Sequence, residues 1–217
     1  MKDKDKISKV YSTGVPEPSI RRMPTYLNFA RTKLKEGDEH ISSRAIAQAL
    51  SLDSTQVTKD LAYTKIVGKT RVGYNTKDLI KELEDFLGFN KTDVAFLVGA
   101  GNLGMALLSY IGFNNSGLKI IAAFDTNSEI INHEVNGVKI LNYEKFTNLT
   151  KRMHVNIGII TTPANVAQNV ANDMIDSGIK AIWNFSPCNL NVADDVVVEN
   201  TSIYTNLALL FNKMRSL

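Results

Sequence analysis

Cysteine is almost absent from this chain: Cys188 is the only one in 217 residues. A single thiol excludes an internal disulfide and argues against a thiolate metal site. It reads as a small buried side chain, with a redox role as the alternative. Histidine is scarce as well, with only His40, His133 and His154. None of them falls where a predicted strand ends, although an oxidoreductase site needs an acid or base beside its reacting group. Neither a Ser-x-x-x-Lys nor a Tyr-x-x-x-Lys pair occurs, no metal-ligand cluster is present, and no separate substrate domain of useful size is left over. These gaps weigh against a dehydrogenase. No apolar run approaches the roughly 20 residues that span a bilayer. The first residues, MKDKDKISKVYSTG, are charged where a signal peptide would be apolar. The expectation is a cytoplasmic protein with no membrane partner.

Net charge is also small, +3, but it is divided unevenly. Residues 1–90 hold sixteen Lys and Arg against twelve Asp and Glu, whereas residues 91–217 hold nine against ten. Between 54 and 74, Lys59, Lys65, Lys69 and Arg71 face Asp60 alone. A local cationic excess suits nucleic acid, though it also suits a solvated face.

What is present is concentrated in DVAFLVGAGNLGMALLSYIGFNNSGLKIIAAFD, residues 93–125. A buried strand runs into Gly99, Gly101 and Gly104, which open a helix, and a second apolar strand ends on Asp125. This is the dinucleotide fingerprint in its strand–turn–helix context. Gly99 serves the tight turn, Gly101 the approach of a pyrophosphate, and Gly104 close helix–strand packing. With Ala100, Asn102 and Leu103 they form the phosphate loop, where unpaired N–H groups and the helix dipole favour anions. Asp125 follows Gly104 by 21 positions, where the ribose-binding acid belongs. A carboxylate there repels a 2′-phosphate, and neither Thr126 nor Asn127 attracts one, so the cofactor reads as NAD(H). A Rossmann-like domain without a dinucleotide, such as a coenzyme A-binding relative, is the alternative. Further on, VNIGIITT and KAIWNF read as buried strands of a parallel sheet. Their ends, Thr161, Thr162, Pro163, Asn184 and Phe185, lie on the carboxyl edge where ligands bind. A short helix is expected after Asp125, then a turn at Asn136-Gly137.

The N-terminal third has another character. Residues 1–15 are expected to be mobile. Pro16, Pro18 and Ser19 start a helix carrying Ile20, Met23, Leu27, Ala30 and Leu34, with a kink or restart at Pro24. Two short helices follow, capped by Ser42 or Ser43 and by Asp53 or Ser54, and joined by about three residues, the helix-turn-helix plan. Ser54, Thr55, Gln56, Thr58, Lys59 and Tyr63 lie on the outer face of the second. These are hydrogen-bonding types suited to phosphates and base edges. An ordinary helical hairpin fits this segment equally well. The basic, glycine-punctuated TKIVGKTRVGYNT shifts the balance, because a hairpin after a recognition helix is a wing. Ile66 and Val67, a turn at Gly68-Lys69-Thr70, and Arg71 to Tyr74 form it, with an Arg at its tip suited to a minor groove. Lys69, Thr70, Arg71 and, from the first helix, Arg22 complete the DNA-facing set. Thr76 caps the next helix.

The domains expected are 1–15 mobile, 16–90 winged-helix, 91–200 Rossmann and 201–217 a terminal helix. That last helix, with Ile203, Leu207, Leu210 and Met214 in a stripe, needs a partner surface, either its own domain or a second chain.

A winged helix-turn-helix, an NAD-type Rossmann domain and an apolar terminal helix together resemble the Rex family of redox-sensing transcriptional repressors. The resemblance rests on QVTKDLAY, VGY, VGAGNLGMALLSYIGF, the AFD ending at Asp125, TTPANVAQ, NFSP and VEN, in that order. It implies an α/β chain that forms a homodimer with an exchanged C-terminal helix, binds a palindromic double-stranded operator and is released by NADH. It further implies a sensing role at the nicotinamide for Tyr110. Asn28 and Ser202 stand where many family members carry an Arg and an Asp, and Thr58 stands where the recognition helix carries an Arg.

Overall fold

Capping side chains delimit most of the N-terminal elements. The computed structural model describes residues 14–216; the rest of the chain, and with it most of the stretch expected to be mobile, lies outside the described residues. Val15 is already buried. The chain divides after Lys91 into two units.

In the first unit, α1 (Glu17–Lys35) buries Met23, Tyr26, Leu27 and Ala30 at helical spacing. It runs through Pro24 without a break. A proline's φ is already helical, so the lost N–H bond there does not end the helix. The strand β1 (His40–Ile41) pairs antiparallel with β2 (Tyr74–Asn75), Ile41 opposite Tyr74. Between them lie α2 (Ser43–Leu50) and α3 (Ser54–Leu61). Ser42 caps α2 by accepting the Ala45 N–H at 3.1 Å, and Asp53 caps α3 by accepting the Thr55 and Gln56 N–H groups at 2.7 and 3.2 Å. The intervening turn starts from Ser51, at φ +53°. α4 (Thr76–Leu87) is capped by Asn75, not by Thr76. Thr76 is buried in the first turn and its hydroxyl donates to the Asp38 carbonyl at 2.6 Å.

The second unit is a seven-stranded sheet in the order β5-β6-β4-β3-β7-β8-β9. Its strands are β3 (Asp93–Val98), β4 (Leu118–Asp125), β5 (Glu134–Val135), β6 (Val138–Asn142), β7 (Ile157–Ile160), β8 (Ala181–Asn184) and β9 (Val197–Asn200). Only the β5–β6 pair is antiparallel, across the Asn136-Gly137 turn, where both residues have positive φ as a two-residue hairpin requires. The short helix expected after Asp125 is replaced by turns. Period-two alternation sorts the core. Ala95 and Leu97 of β3 face the side that holds Leu108 of α5 (Asn102–Ser109). Phe96 and Val98 face the side that holds α6 (Phe146–Met153) and α7 (Ala164–Asp176), where Phe96, Phe124 and Phe146 meet edge to face at 5.0–6.2 Å. The last helix, α8 (Ile203–Met214), buries none of its residues.

Candidate functional site

A cleft of about 650 Å³ opens at the carboxyl edge of the sheet, between the ends of β3 and β4 and the flank of α7. The glycines at its floor have distinct physical reasons. Gly99 has φ +100°, and a Cβ there would stand 2.9 Å from the Thr161–Thr162 backbone. A Cβ on Gly104 would stand 2.1 Å from the Gly99 carbonyl oxygen, so helix and strand touch only because it is missing. Gly101 is different: a Cβ there would meet nothing within 4 Å. Its bare Cα fronts open space where α5 begins with no side-chain cap. A helix start without a cap leaves its first N–H groups for an external acceptor. Below it, the buried Thr162 hydroxyl has no hydrogen-bond partner among the described residues. A cradle with room at Gly101, uncapped donors and an unsatisfied hydroxyl fits a phosphate-linked ligand.

Asp125 already has partners within the chain. One carboxylate oxygen accepts the Ala100 N–H at 2.6 Å and the other accepts the Asn127 N–H at 2.8 Å. It therefore ties the glycine loop to the end of β4, with lone pairs left over. The Thr161 hydroxyl donates to the Gly99 carbonyl at 2.6 Å and closes the loop from the β7 side.

Gly99, Gly101, Leu103, Asp125, Thr126, Thr161, Thr162, Pro163 and Phe185 all line this cleft. Five expected residues do not. Asn102 and Gly104 lie in the first turn of α5. Ala100 is buried, with its N–H held by Asp125. Asn184 is also buried: its amide donates to the Cys188 carbonyl and to Asn200 and accepts the Ser186 N–H. All of its close partners are thus internal, and it shapes the 184–188 loop instead of meeting a ligand. Tyr110 follows the last residue of α5, and eight helical residues carry the chain about 12 Å from the helix start. It is 60% exposed, packs edge to face on Phe113 and borders a second hollow with Leu107 and Asn136. Within one chain it is outside the cleft. Cleft residues that sequence reasoning passed over include Tyr143, Val166, Asn169 and Asp173. They come from β6's end and one face of α7, and only the i, i+4 spacing of Asn169 and Asp173 hinted at a shared direction.

In the first unit, Ser54, Thr55, Thr58 and Lys59 are exposed on α3, and Tyr63 is exposed just beyond it. Gln56 is half-buried, its Nε2 donating to Asp60 Oδ1 at 2.8 Å. The turn of the wing is shifted by two residues from the expected one. Lys69 and Gly73 exchange backbone hydrogen bonds at 2.8 and 2.9 Å, so the loop is Thr70-Arg71-Val72, not Gly68-Lys69-Thr70. Arg71 sits in its middle at φ +64°. Ile66 and Val67 pair with nothing in the sheet, since Tyr74 pairs with Ile41 from before the helices.

Arg22 has a structural partner. Its guanidinium grips the buried Asp60 in two bonds at 2.6 and 2.9 Å, while the Tyr26 hydroxyl donates to the same carboxylate at 2.6 Å. Burial pushes the Asp60 carboxyl up, but hydrogen bonds from Arg22, Tyr26, Ser19 and Gln56 outweigh it and bring it down to about 2. Burial and Asp60 push the Tyr26 phenol up to about 12. The network fastens α3 to α1.

A recognition-helix unit with a wing, followed by a doubly wound sheet with a phosphate cradle, defines a DNA-binding protein joined to a nucleotide-binding domain. Comparison with known proteins sharpens this. Residues 14–62 match the family model described as putative DNA-binding protein N-terminus, and residues 89–188 match the CoA binding domain model. The redox-sensing transcriptional repressor Rex of Porphyromonas gingivalis is 45% identical over 97% of this chain and 96% of its own length. That of Bacteroides fragilis is 43% identical over 94% and 92%. The crystal structure of RSP in complex with β-NAD⁺ and operator DNA matches with a TM-score of 0.87 at 33% identity, covering 93% of each chain. RSP in complex with β-NADH matches with a TM-score of 0.83 at 32% identity, covering 93% of this chain and 95% of the other. The chain belongs to the Rex family of redox-sensing transcriptional repressors.

Proposed function

We propose that this chain represses transcription as a homodimer on a palindromic operator and lets go when NADH fills its cleft. The observation that carries this is the open cradle at Gly101, held by Asp125, in the same chain as a recognition helix. The bound dinucleotide supplies a redox-dependent charge: its nicotinamide is cationic when oxidised and neutral when reduced. The residues fitting the cofactor divide by charge. Asp125 and Asp173 are the charged groups of the cleft, while Thr161, Thr162, Pro163, Phe185 and Pro187 are neutral. Asp125 belongs with the adenosine ribose. The neutral residues then surround the nicotinamide, and an apolar surround without a counter-charge disfavours a cation. NADH therefore binds more tightly than NAD⁺. Ligand binding shifts DNA affinity only through different affinities for the two dimer forms. A change in dimer closure does this by spoiling the fit to half-sites about one helical turn apart.

On this reading Ser54, Thr55, Thr58, Lys59 and Tyr63 meet the operator, with Lys69, Thr70 and Arg71 following in the wing. The terminal helix α8, whose Ile203, Leu210 and Met214 are each at least 60% exposed, is covered by the partner chain. The chain does no chemistry on the cofactor. None of its histidines lines the cleft: His40 is in β1, His133 is exposed in a turn and His154 ends α6. No described helix is long and apolar enough to cross a membrane, and the proposed operator places the protein in the cytoplasm. One titration tests the reading. Binding to a short palindromic duplex is followed as NADH rises at fixed NAD⁺, and the affinity is expected to fall. Unchanged affinity would leave the dinucleotide a structural fixture.

A further inference from the structure

One end of the cleft carries polar groups that neither phosphate nor ribose binding explains. The register Asp125↔Asn142 sets the end of β6 beside the end of β4, so Tyr143 directly follows the residue paired with Asp125. The Tyr143 ring stacks on Phe146 at 5.8 Å and 15°, which fixes its plane. Its hydroxyl donates to Asp173 Oδ2 at 2.6 Å across thirty residues of chain. Burial, and then Asp173 itself, raise the Tyr143 phenol above its usual range, so it stays protonated as the donor. Both residues line the cleft. Among the described residues Asp173 Oδ1 receives no hydrogen bond, in contrast to its sister oxygen. Asn169, one turn earlier on the same face of α7, also lines the cleft.

We infer that Asp173, oriented by Tyr143, selects the base of the bound dinucleotide by accepting a hydrogen bond from the six-amino group of adenine. The inference rests on the dinucleotide reading of the cleft. If Asp125 takes the adenosine ribose, the base must lie beyond it, away from the glycine loop, and that is where Tyr143 and Asp173 stand. A carboxylate accepts and does not donate. Adenine presents an amino donor beside a ring-nitrogen acceptor, the pattern that an acceptor and an amide donor read together. Asp173 supplies the acceptor and Asn169 the amide. Hypoxanthine carries an oxygen acceptor at position six, which would face the carboxylate across an unfavourable contact.

The test uses the full chain and two probes, NADH and its reduced hypoxanthine counterpart, titrated by calorimetry. The hypoxanthine form is expected to bind more weakly by about tenfold, the scale of one hydrogen bond to a charged group lost to an unpaired acceptor. Asp173→Asn turns a donor toward the base and should erase or invert that ratio. Tyr143→Phe releases the carboxylate and should bring the ratio part of the way down. Thermal melts of both variants check that the fold is kept. Equal wild-type affinities for the two probes, or a ratio untouched by Asp173→Asn, would overturn the inference while leaving the cofactor reading standing. No NADH binding at all would overturn both.

Discussion

Asp60 in the DNA-binding unit and Asp125 in the nucleotide-binding unit are both aspartates at the end of a secondary element, and they have opposite economies of partners. Asp60 is fully buried and receives side-chain hydrogen bonds from Arg22, twice, and from Tyr26, Gln56 and Ser19. Asp125 is half-buried and receives two backbone N–H groups. A carboxylate offers about four acceptor positions. The first aspartate is saturated and holds two helices together. The second keeps capacity on the side that faces a cleft. A charge is available for binding in proportion to the partners it lacks, and burial decides which it is. The same logic recasts Arg22: a cation already engaged twice by a buried carboxylate is a fastener of the recognition helix, not a free contact for phosphate.

The largest expected effect breaks this contrast from the saturated side. Asp60→Ala strands Arg22 and the Tyr26 hydroxyl inside the first unit, and should cost it about 3–5 kcal/mol, the usual result of removing one partner of a buried pair. Chemical denaturation followed separately in the two units should show the first melting early while Trp183 of the second reports no change; equal loss in both would break the comparison. Acid should act more weakly through the same group. The folded Asp60 carboxyl lies at about 2, below its unfolded value of 3.8. Its stabilisation is therefore complete above the unfolded pKa and is lost as pH falls from about 4 towards 2, and the shift corresponds to about 2 kcal/mol. In Asp60→Asn this acid-sensitive part of the stability curve should flatten. The smallest effect on the fold is expected from Asp125→Ala. It frees two backbone N–H groups, those of Ala100 and Asn127, so stability should drop by about 1–2 kcal/mol, whereas NADH affinity should fall by about tenfold or more. A melting shift as large as that of Asp60→Ala would show that Asp125 is a structural residue first.

Much of this contrast could be read from the sequence, and the rest could not for identifiable reasons. Local chemistry was legible. Gly99, Gly101 and Gly104 announced a tight loop, and Ser42 and Asp53 were among the expected caps, because a turn or a cap depends on neighbours within four residues. Of the kink or restart expected at Pro24, the restart does not occur, because α1's packing through Tyr26 and Leu27 outweighs one missing hydrogen bond. Thr76 was misread for a similar reason: its hydroxyl has a partner 38 residues earlier. Tyr143 and Asp173, thirty residues apart, carry no local sign that they meet.

By itself, then, the sequence determined the elements whose forces are short-ranged: a recognition helix, a glycine cradle and an acid 21 residues beyond it. Periodicity and capping need only the chain within a turn or two. Only the tertiary structure decided which polar groups were consumed and which were left over. Strand register set Asn142 beside Asp125, with Tyr143 next in the chain, and helix packing closed Asp60 over Arg22. Partner counts are a property of what folds together from distant segments, so Arg22 and Asn184 became structural while Asp173 came to line the cleft.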